Sequence, residues 1–412
     1  MISVRQAREI ILKNIFPLKQ SELIKIESAL GRVCALEIRS KENIPPFDNS
    51  AMDGFAVRAE DLKGSTRKSP KILEVMGNLA AGYTTGKTIR PGEAIRIMTG
   101  APLPKGADSV VMVEDTEKVK SQKSKVKNKE EFVKIFKDVE KGENVRYAGE
   151  DVEKGETVIS KGSILKSGHI GMLASLGFSQ VKVFSRPQVA ILATGDELVQ
   201  IKQKLAPGKI RNSNSYSLYS QVLKAGAFPV LLGIARDNRK DLEAKITQGL
   251  SADMLIVSGG VSVGDYDFVK DVLNDLGTDM KFWRVAMKPG KPLAFGMMRR
   301  TPVFGLPGNP VSSMVAFEQF ARPAVLKMSG ALDLFRFRLP AIFTEDFEKK
   351  KGLRYFLRVV LANKGGQLYA SLTGPQGSGI LKSMVLANGI AELPEDMEVI
   401  RKGETAEVTY LE

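Results

Sequence analysis

Between residues 188 and 328 short apolar runs alternate with helical stretches, and this rhythm restricts the chain more than any other feature of it. The runs "QVAILAT" (188–194), "PVLLGIA" (229–235) and "DMLIV" (253–257) precede helical patterns at 215–226, 238–250 and 266–276. Further strands are expected near 281–286, 292–297 and 302–306, followed by a helix from Pro310. A strand that is apolar throughout has no face to give to water, so it must be covered on both sides. With amphipathic helices between the strands, that is the pattern of a doubly wound, mostly parallel sheet. Ligands of such sheets bind beyond the carboxyl ends of the strands.

At 412 residues the chain is too long for one ordinary core. The expected fold class is therefore multidomain α/β: the sheet domain at 181–330, a β-rich domain at 44–142, a discontinuous helical or mixed domain from 1–43 and 143–180, and a C-terminal β domain at 331–412. Residues 2–30 read as helical, with Ile10, Ile11, Ile15 and Phe16 at helical spacing and a second helix starting near Ser21. Short strands broken by glycine mark the β-rich domain, and turns such as "NKGG" and "PQGSG" mark the last one.

Composition removes several classes of chemistry. One cysteine, Cys34, and one histidine, His169, cannot build a zinc site of the usual kind, and a Cys-His nucleophilic pair would need these two distant residues to meet. Any metal must be held by oxygen, which suits magnesium. No apolar run approaches membrane-span length and the N-terminus lacks signal-peptide order, so a cytoplasmic protein with no membrane partner is expected. The formal charge of +14 invites a nucleic-acid reading, but much of the excess sits in "KVKSQKSKVKNK" (118–129), which has no aromatic residue for base stacking. A solvated hairpin or loop is favoured, and no nucleic-acid partner is expected.

The strand ends carry the chemistry. Ser258, Gly259, Gly260, Ser262 and Gly264 follow the strand at 253–257 and lead into a helix, so their backbone N–H groups are candidates to receive a phosphate. A tight turn accounts for the glycines but not for so many small polar residues. Asp196 and Glu197 follow the first strand, next to the candidate substrate-binding Thr194 and Gly195, Asp237 follows the second, and Asp265 and Asp267 the third. Any one acid is equally well read as a helix cap, whereas acids on three converging loops favour Mg²⁺ between carboxylates and a substrate phosphate. "MKPGKP" places Lys288 and Lys291 around a Pro-Gly turn, and "GLPGNPVSS" is expected to expose Asn309, Ser312 and Ser313 at a helix start, completing an oxyanion site.

The segments "PPFDNSAMDGFAVR", "RIMTGAPLPKGADSVVMVED", "ATGDEL", "SGGVSVGDYDF", "KPGKP" and "GLPGNPVSS", in this order, closely resemble the molybdopterin molybdenumtransferase family, which includes bacterial MoeA and the gephyrin E domain. The resemblance covers essentially the whole chain. It implies a molybdopterin-binding type of sheet domain within four-domain, elongated homodimers, and it implies molybdate and adenylylated molybdopterin as substrates. Cleavage of the pyrophosphate link, dependent on Mg²⁺ or another divalent metal, would release AMP and molybdenum cofactor. Carried over by position, Glu197, Asp237, Asp265 and Asp267 are metal and phosphate-site acids, and Asp53 and Thr99 are essential groups of the β-rich domain. Lys288, Lys291, Ser312, Arg358 and Ser378 match positions that in the family lie around the molybdate pocket. The resemblance also implies sites shared between the two chains of the dimer, and the molybdopterin adenylyltransferase as a candidate partner. In two respects the chain departs from the pattern: Asn238 stands where a second acid is frequent, and the lysine-rich insertion is unusual.

Two other readings compete. A molybdopterin adenylyltransferase would use the same sheet and glycine-rich loop but resembles residues 185–330 alone. A non-enzymatic scaffold of the gephyrin kind would use the dimer for clustering, and no additional linker or partner domain is read here.

Overall fold

A computed structural model of the chain describes residues 1–120, 131–260 and 268–411. They form two compact units, one of Met1–Leu36, Lys161–Gly171 and Ser179–Glu412, the other of Glu37–Ser160 and Met172–Phe178.

The larger unit is centred on the expected sheet. Its elements are β1 (Gln188–Thr194), α1 (Asn214–Lys224), β2 (Phe228–Ala235), α2 (Arg239–Gly249), β3 (Met254–Ser258), α3 (Phe268–Asp275), β4 (Asp279–Arg284), β5 (Pro292–Met298), β6 (Thr301–Leu306) and α4 (Pro310–Ala316). Strand order is β2-β1-β3-β6-β5-β4. The first four run parallel, β5 runs antiparallel to β6, and β4 antiparallel to β5. Alternation along the strands assigns the two faces. Val189, Ile191, Met254 and Ile256 pack with Leu218 and Val222 of α1, while Ala190, Leu192, Leu255 and Val257 pack with Leu242 and Ile246 of α2 and Val272 of α3. Both faces are covered, which is why the strands need no polar positions.

The register aligns the strand ends. Thr194 pairs with Ala235, Ala193 with Ser258, and Ser258 with Leu306, so the loops after β1, β2, β3 and β6 leave from one edge. The two reversals bring the turn between β4 and β5 to that same edge. Order reverses between β1 and β3, the switch point where a crevice opens.

The C-terminal region of this unit is a closed barrel. Strands Arg354–Lys364, Gln367–Leu372, Arg338–Phe343, Thr405–Tyr410 and Gly389–Leu393 pair in that order, and the last pairs back to the first. Met287–Lys288, from the β4–β5 turn, adds to the barrel in parallel with Arg354 and Tyr355.

The N-terminus corrects one expectation. Helix Val4–Asn14 has a capping box between Ser3 and Gln6 and buries Val4, Ala7 and Ile11. The chain then turns away at Phe16-Pro17, with Phe16 exposed, and Ser21–Lys25 is a strand paired antiparallel with Gln180–Phe184 rather than a second helix. Ser21 looked like an N-cap, but a cap signal has no force without a helical apolar stripe after it. Long-range pairing with buried Val181 and Val183 decides the segment.

In the smaller unit a six-stranded sheet runs Ser109–Met112, Gly54–Val57, Glu93–Ile97, Lys71–Leu79, Glu131–Ile135, Thr116–Lys120. The last two pair antiparallel, with Lys120 opposite Glu131, so Lys118 and Lys120 of the lysine tract belong to a hairpin strand. Lys123, Lys125, Lys127 and Lys129 lie outside the described residues. At Gly54 a Cβ would fall 1.8 Å from Val111 O. Only glycine lets these strands approach. Gly54→Ala is accordingly expected to destabilise this unit by about 2 kcal/mol or more, seen as a lowered thermal transition and faster proteolytic cleavage within residues 37–160; wild-type values would contradict the close approach.

Candidate functional site

At the carboxyl edge of the sheet two cavities lie side by side. The first, of about 420 Å³, sits over the switch point and is lined by Thr194, Glu197, Asn214, Ser258 and Asn309 among others. The second, of about 540 Å³, is lined by Lys288, Lys291, Asn309, Ser312, Arg358 and Ser378, with Tyr355, Gln376 and Gly377. Asn309 belongs to both.

Beside the first cavity the loops after β1 and β2 are tied to each other. Thr194 Oγ1 donates to Asp237 Oδ1 at 2.8 Å, and the Asp196 N–H donates to Asp237 Oδ2 at 3.2 Å. In return the Asp237 N–H donates to Asp196 Oδ1 at 3.2 Å. Asp237 therefore staples the β1 and β2 loops, and each of its oxygens already accepts one bond. Gly195 has φ +144°, and a Cβ there would lie 2.4 Å from Glu197 Oε2, so the Glu197 carboxylate folds against bare main chain. The Gly259 N–H donates to Leu306 O at 3.0 Å and the Gly195 N–H to Ala235 O at 3.4 Å. These two amides continue the sheet, which corrects the expectation that the Gly259 amide faces an anion. Gly260 follows with φ +63°, its Cα packed towards Val269. Ser262, Gly264, Asp265 and Asp267 lie outside the described residues.

Among the described residues no group of three or more His, Cys, Asp or Glu side chains gathers as a metal cage. The described acids at this edge, Asp196, Glu197 and Asp237, are hard oxygen donors of the kind Mg²⁺ takes.

Sequence reasoning missed Asn214. At 9% exposure its Nδ2 bridges Ser258 Oγ at 2.9 Å and Gly308 O at 2.7 Å, locking β3, α1 and the loop after β6 together. The polar run "NSNSYS" opening α1 was the available signal.

The second cavity is cationic. Arg358 is fully buried, and its guanidinium donates to Ser383 Oγ (3.1 Å), Phe356 O (3.3 Å) and Gly377 O (3.2 Å), all neutral. No carboxylate lies within ion-pair reach of it among the described residues. Burial pushes its pKa down to about 10, which leaves it charged at neutral pH. Four residues earlier on the same strand, Arg354 pairs with both Glu392 and Glu395, so the strand's surroundings do not lack acids. Lys288 and Lys349 each sit 5.2 Å from the Tyr355 ring centroid. Lys288 comes within reach of the barrel because its backbone pairs with Tyr355. Ser312 is buried but lines the cavity, whereas Ser313 is not exposed as expected: it is fully buried with its hydroxyl unpaired.

In the smaller unit Asp53 and Thr99 meet because Gly54 pairs with Ile97, placing the residue before one strand beside the loop after the other. Asp53 Oδ1 accepts from the Thr99 N–H at 2.7 Å and from Thr99 Oγ1 at 2.8 Å. These bonds hold the carboxyl below the usual aspartate value.

Strand-end hydroxyls and carboxylates beside a cavity lined by Lys288, Lys291 and Arg358 make an α/β protein suited to an anionic, phosphate-bearing ligand. Comparison with known proteins makes the family specific. Residues 2–177 match the "MoeA N-terminal region (domain I and II)", 190–327 the "Probable molybdopterin binding domain", and 340–411 the "MoeA C-terminal region (domain IV)". The chain is 35% identical to a molybdopterin molybdenumtransferase of Bacillus subtilis, over 95% of this chain and 90% of that one. It is 37% identical to that of Nostoc sp., over 100% and 94%. The crystal structure of a molybdopterin biosynthesis MoeA protein from Pyrococcus horikoshii superimposes with TM-score 0.85 at 30% identity, covering both chains fully. The chain belongs to the molybdopterin molybdenumtransferase family.

The Asp53 geometry carries a sign. A carboxyl whose pKa is depressed by folding stabilises the fold at neutral pH, and that contribution is lost as pH falls through the folded-state value. Thr99→Val should raise the Asp53 pKa towards the ordinary 3.8 in an NMR titration; an unmoved titration would show that the hydroxyl bond does not set it.

Proposed function

We propose that this protein inserts molybdenum from molybdate into adenylylated molybdopterin, with metal-dependent hydrolysis that releases AMP and molybdenum cofactor. The observation that carries this reading is the buried Arg358, which meets no carboxylate among the described residues. A desolvated cation held only by neutral acceptors favours entry of an anion, and a tetrahedral dianion meets Lys288, Lys291, Ser312 and Ser378 in the same cavity. The neighbouring strand-end cavity offers the pterin phosphate Thr194, Ser258 and Asn309.

Cleaving a phosphoanhydride needs charge neutralisation and positioning more than a protein nucleophile. That suits a site without histidine or cysteine. Glu197 and Asp237, with Asp265 and Asp267, would hold Mg²⁺, which when bound supplies neutralisation of the phosphate oxygens. Asp237 keeps the β1 and β2 loops together while doing so. A cytoplasmic homodimer is part of the reading, each site taking Asp53 and Thr99 from one chain and Glu197, Asp265 and Lys288 from its partner. Among the described residues no helix is long and apolar enough to cross a membrane.

AMP release from adenylylated molybdopterin, with and without molybdate, tests the function. Glu197→Gln and Asp267→Asn should fold but lose metal-dependent release, and wild-type turnover at saturating metal would remove that residue from the site. Lys288→Ala should raise the molybdate requirement about tenfold, as loss of a charge-assisted contact of roughly 1.5–3 kcal/mol implies; an unchanged requirement would count against the cavity. Mixing inactive Asp53→Ala and Asp267→Ala chains should restore activity through hybrid dimers, and a dead mixture despite subunit exchange would place each site within one chain.

A further inference from the structure

Arg358 needs something to aim it. Strand Gln367–Leu372 pairs with Arg354–Lys364 only as far as Leu372 opposite Val359. Thr373 then donates its N–H to Arg358 O at 3.2 Å, and the chain turns off the barrel. Beyond this point a side chain replaces the strand. The Arg358 N–H donates to Gln376 Oε1 at 2.9 Å, and Gln376 Nε2 donates back to Arg358 O at 3.1 Å and to Gly374 O at 3.0 Å.

The next two residues continue the clamp. Gly377 O receives the Arg358 guanidinium, and Ser378 O accepts from the Val311 N–H at 3.1 Å, fixing the segment to the start of α4. Gln376, Gly377 and Ser378 all line the cationic cavity. Residues 376–378 thus tie the main chain of Arg358, one of the three partners of its guanidinium and the position of Ser378 into one segment, in which Gln376 supplies the side-chain amide.

We propose that Gln376 is a positioning residue for the anion site: its amide substitutes for the missing strand and so sets Arg358 and Ser378 at the spacing that the bound oxyanion requires. This rests on reading the cavity as the molybdate site. A glutamine that merely tied down a loop would affect stability and leave anion affinity alone, and on that point the two roles separate.

The test uses the full chain and sodium molybdate. Gln376→Met keeps length and volume but removes every hydrogen bond, while Gln376→Glu keeps an acceptor for the Arg358 N–H and sets a carboxylate oxygen against two carbonyl oxygens. Calorimetric binding of molybdate, its half-saturating concentration in the AMP-release assay, the rate at saturation and the thermal midpoint are measured together. The expected result is a rise of about tenfold or more in both dissociation constant and half-saturation for Gln376→Met, more for Gln376→Glu, with the saturating rate within about twofold of wild type. Wild-type affinity in both variants overturns the proposal, and so does a loss of thermal midpoint or of folding in both without a change in molybdate affinity in whatever folds. If the unaltered protein binds no molybdate, the reading of the cavity fails and takes this role with it, a result distinguishable from failure of Gln376 alone.

Discussion

A guanidinium is buried at Arg358 with no carboxylate among the described residues to meet it, and the rest of the site is arranged around it. Removing a charge from water costs several kcal/mol even after relaxation, and proteins ordinarily offset it with an opposite charge. This chain does so elsewhere: Arg354 has Glu392 and Glu395, and Arg322 and Arg336 share Glu318. At Arg358 it supplies a hydroxyl and two carbonyls instead. Neutral acceptors satisfy the N–H groups without cancelling the charge. A glutamate in their place would pair with the guanidinium and close the site to an anion.

The topology delivers four separate stretches of sequence to this cation. Two strand reversals bring the β4–β5 turn to the carboxyl edge, and the pairing of Met287–Lys288 with Arg354 and Tyr355 joins that turn to the barrel. The segment 376–378 leaves the barrel towards α4 and closes the remaining side. Because Asn309 lines both cavities, an anion beside Arg358 and a phosphate over the switch point would share one wall. On the proposed function, transfer between the two substrates would require proximity rather than a protein nucleophile.

The central sheet was legible because nothing else accounts for apolar runs such as "QVAILAT" and "DMLIV" between helical patterns, and the strand ends followed from chain direction alone. The motifs carried the family. Other features depend on pairings that local sequence does not encode. Ser21 carries a cap signal but becomes a strand through contact with residues some 160 positions away. Asp237 reads as a plain acid after a strand, and only the structure shows both its oxygens engaged by Thr194 and Asp196. Asn214 and Gln376 are ordinary polar residues until the buried partners of their amides are known. Arg358 was indicated by family likeness, but its neutral partners among the described residues are a property of three-dimensional surroundings.

The most direct test of the central claim is a crystal of this protein soaked in molybdate, with anomalous scattering recorded at the molybdenum absorption edge. The account predicts a peak within hydrogen-bonding reach of the Arg358 guanidinium and of Lys288 or Ser378. A fully occupied peak over the β1 and β3 loops, with the cavity at Arg358 empty, would contradict it.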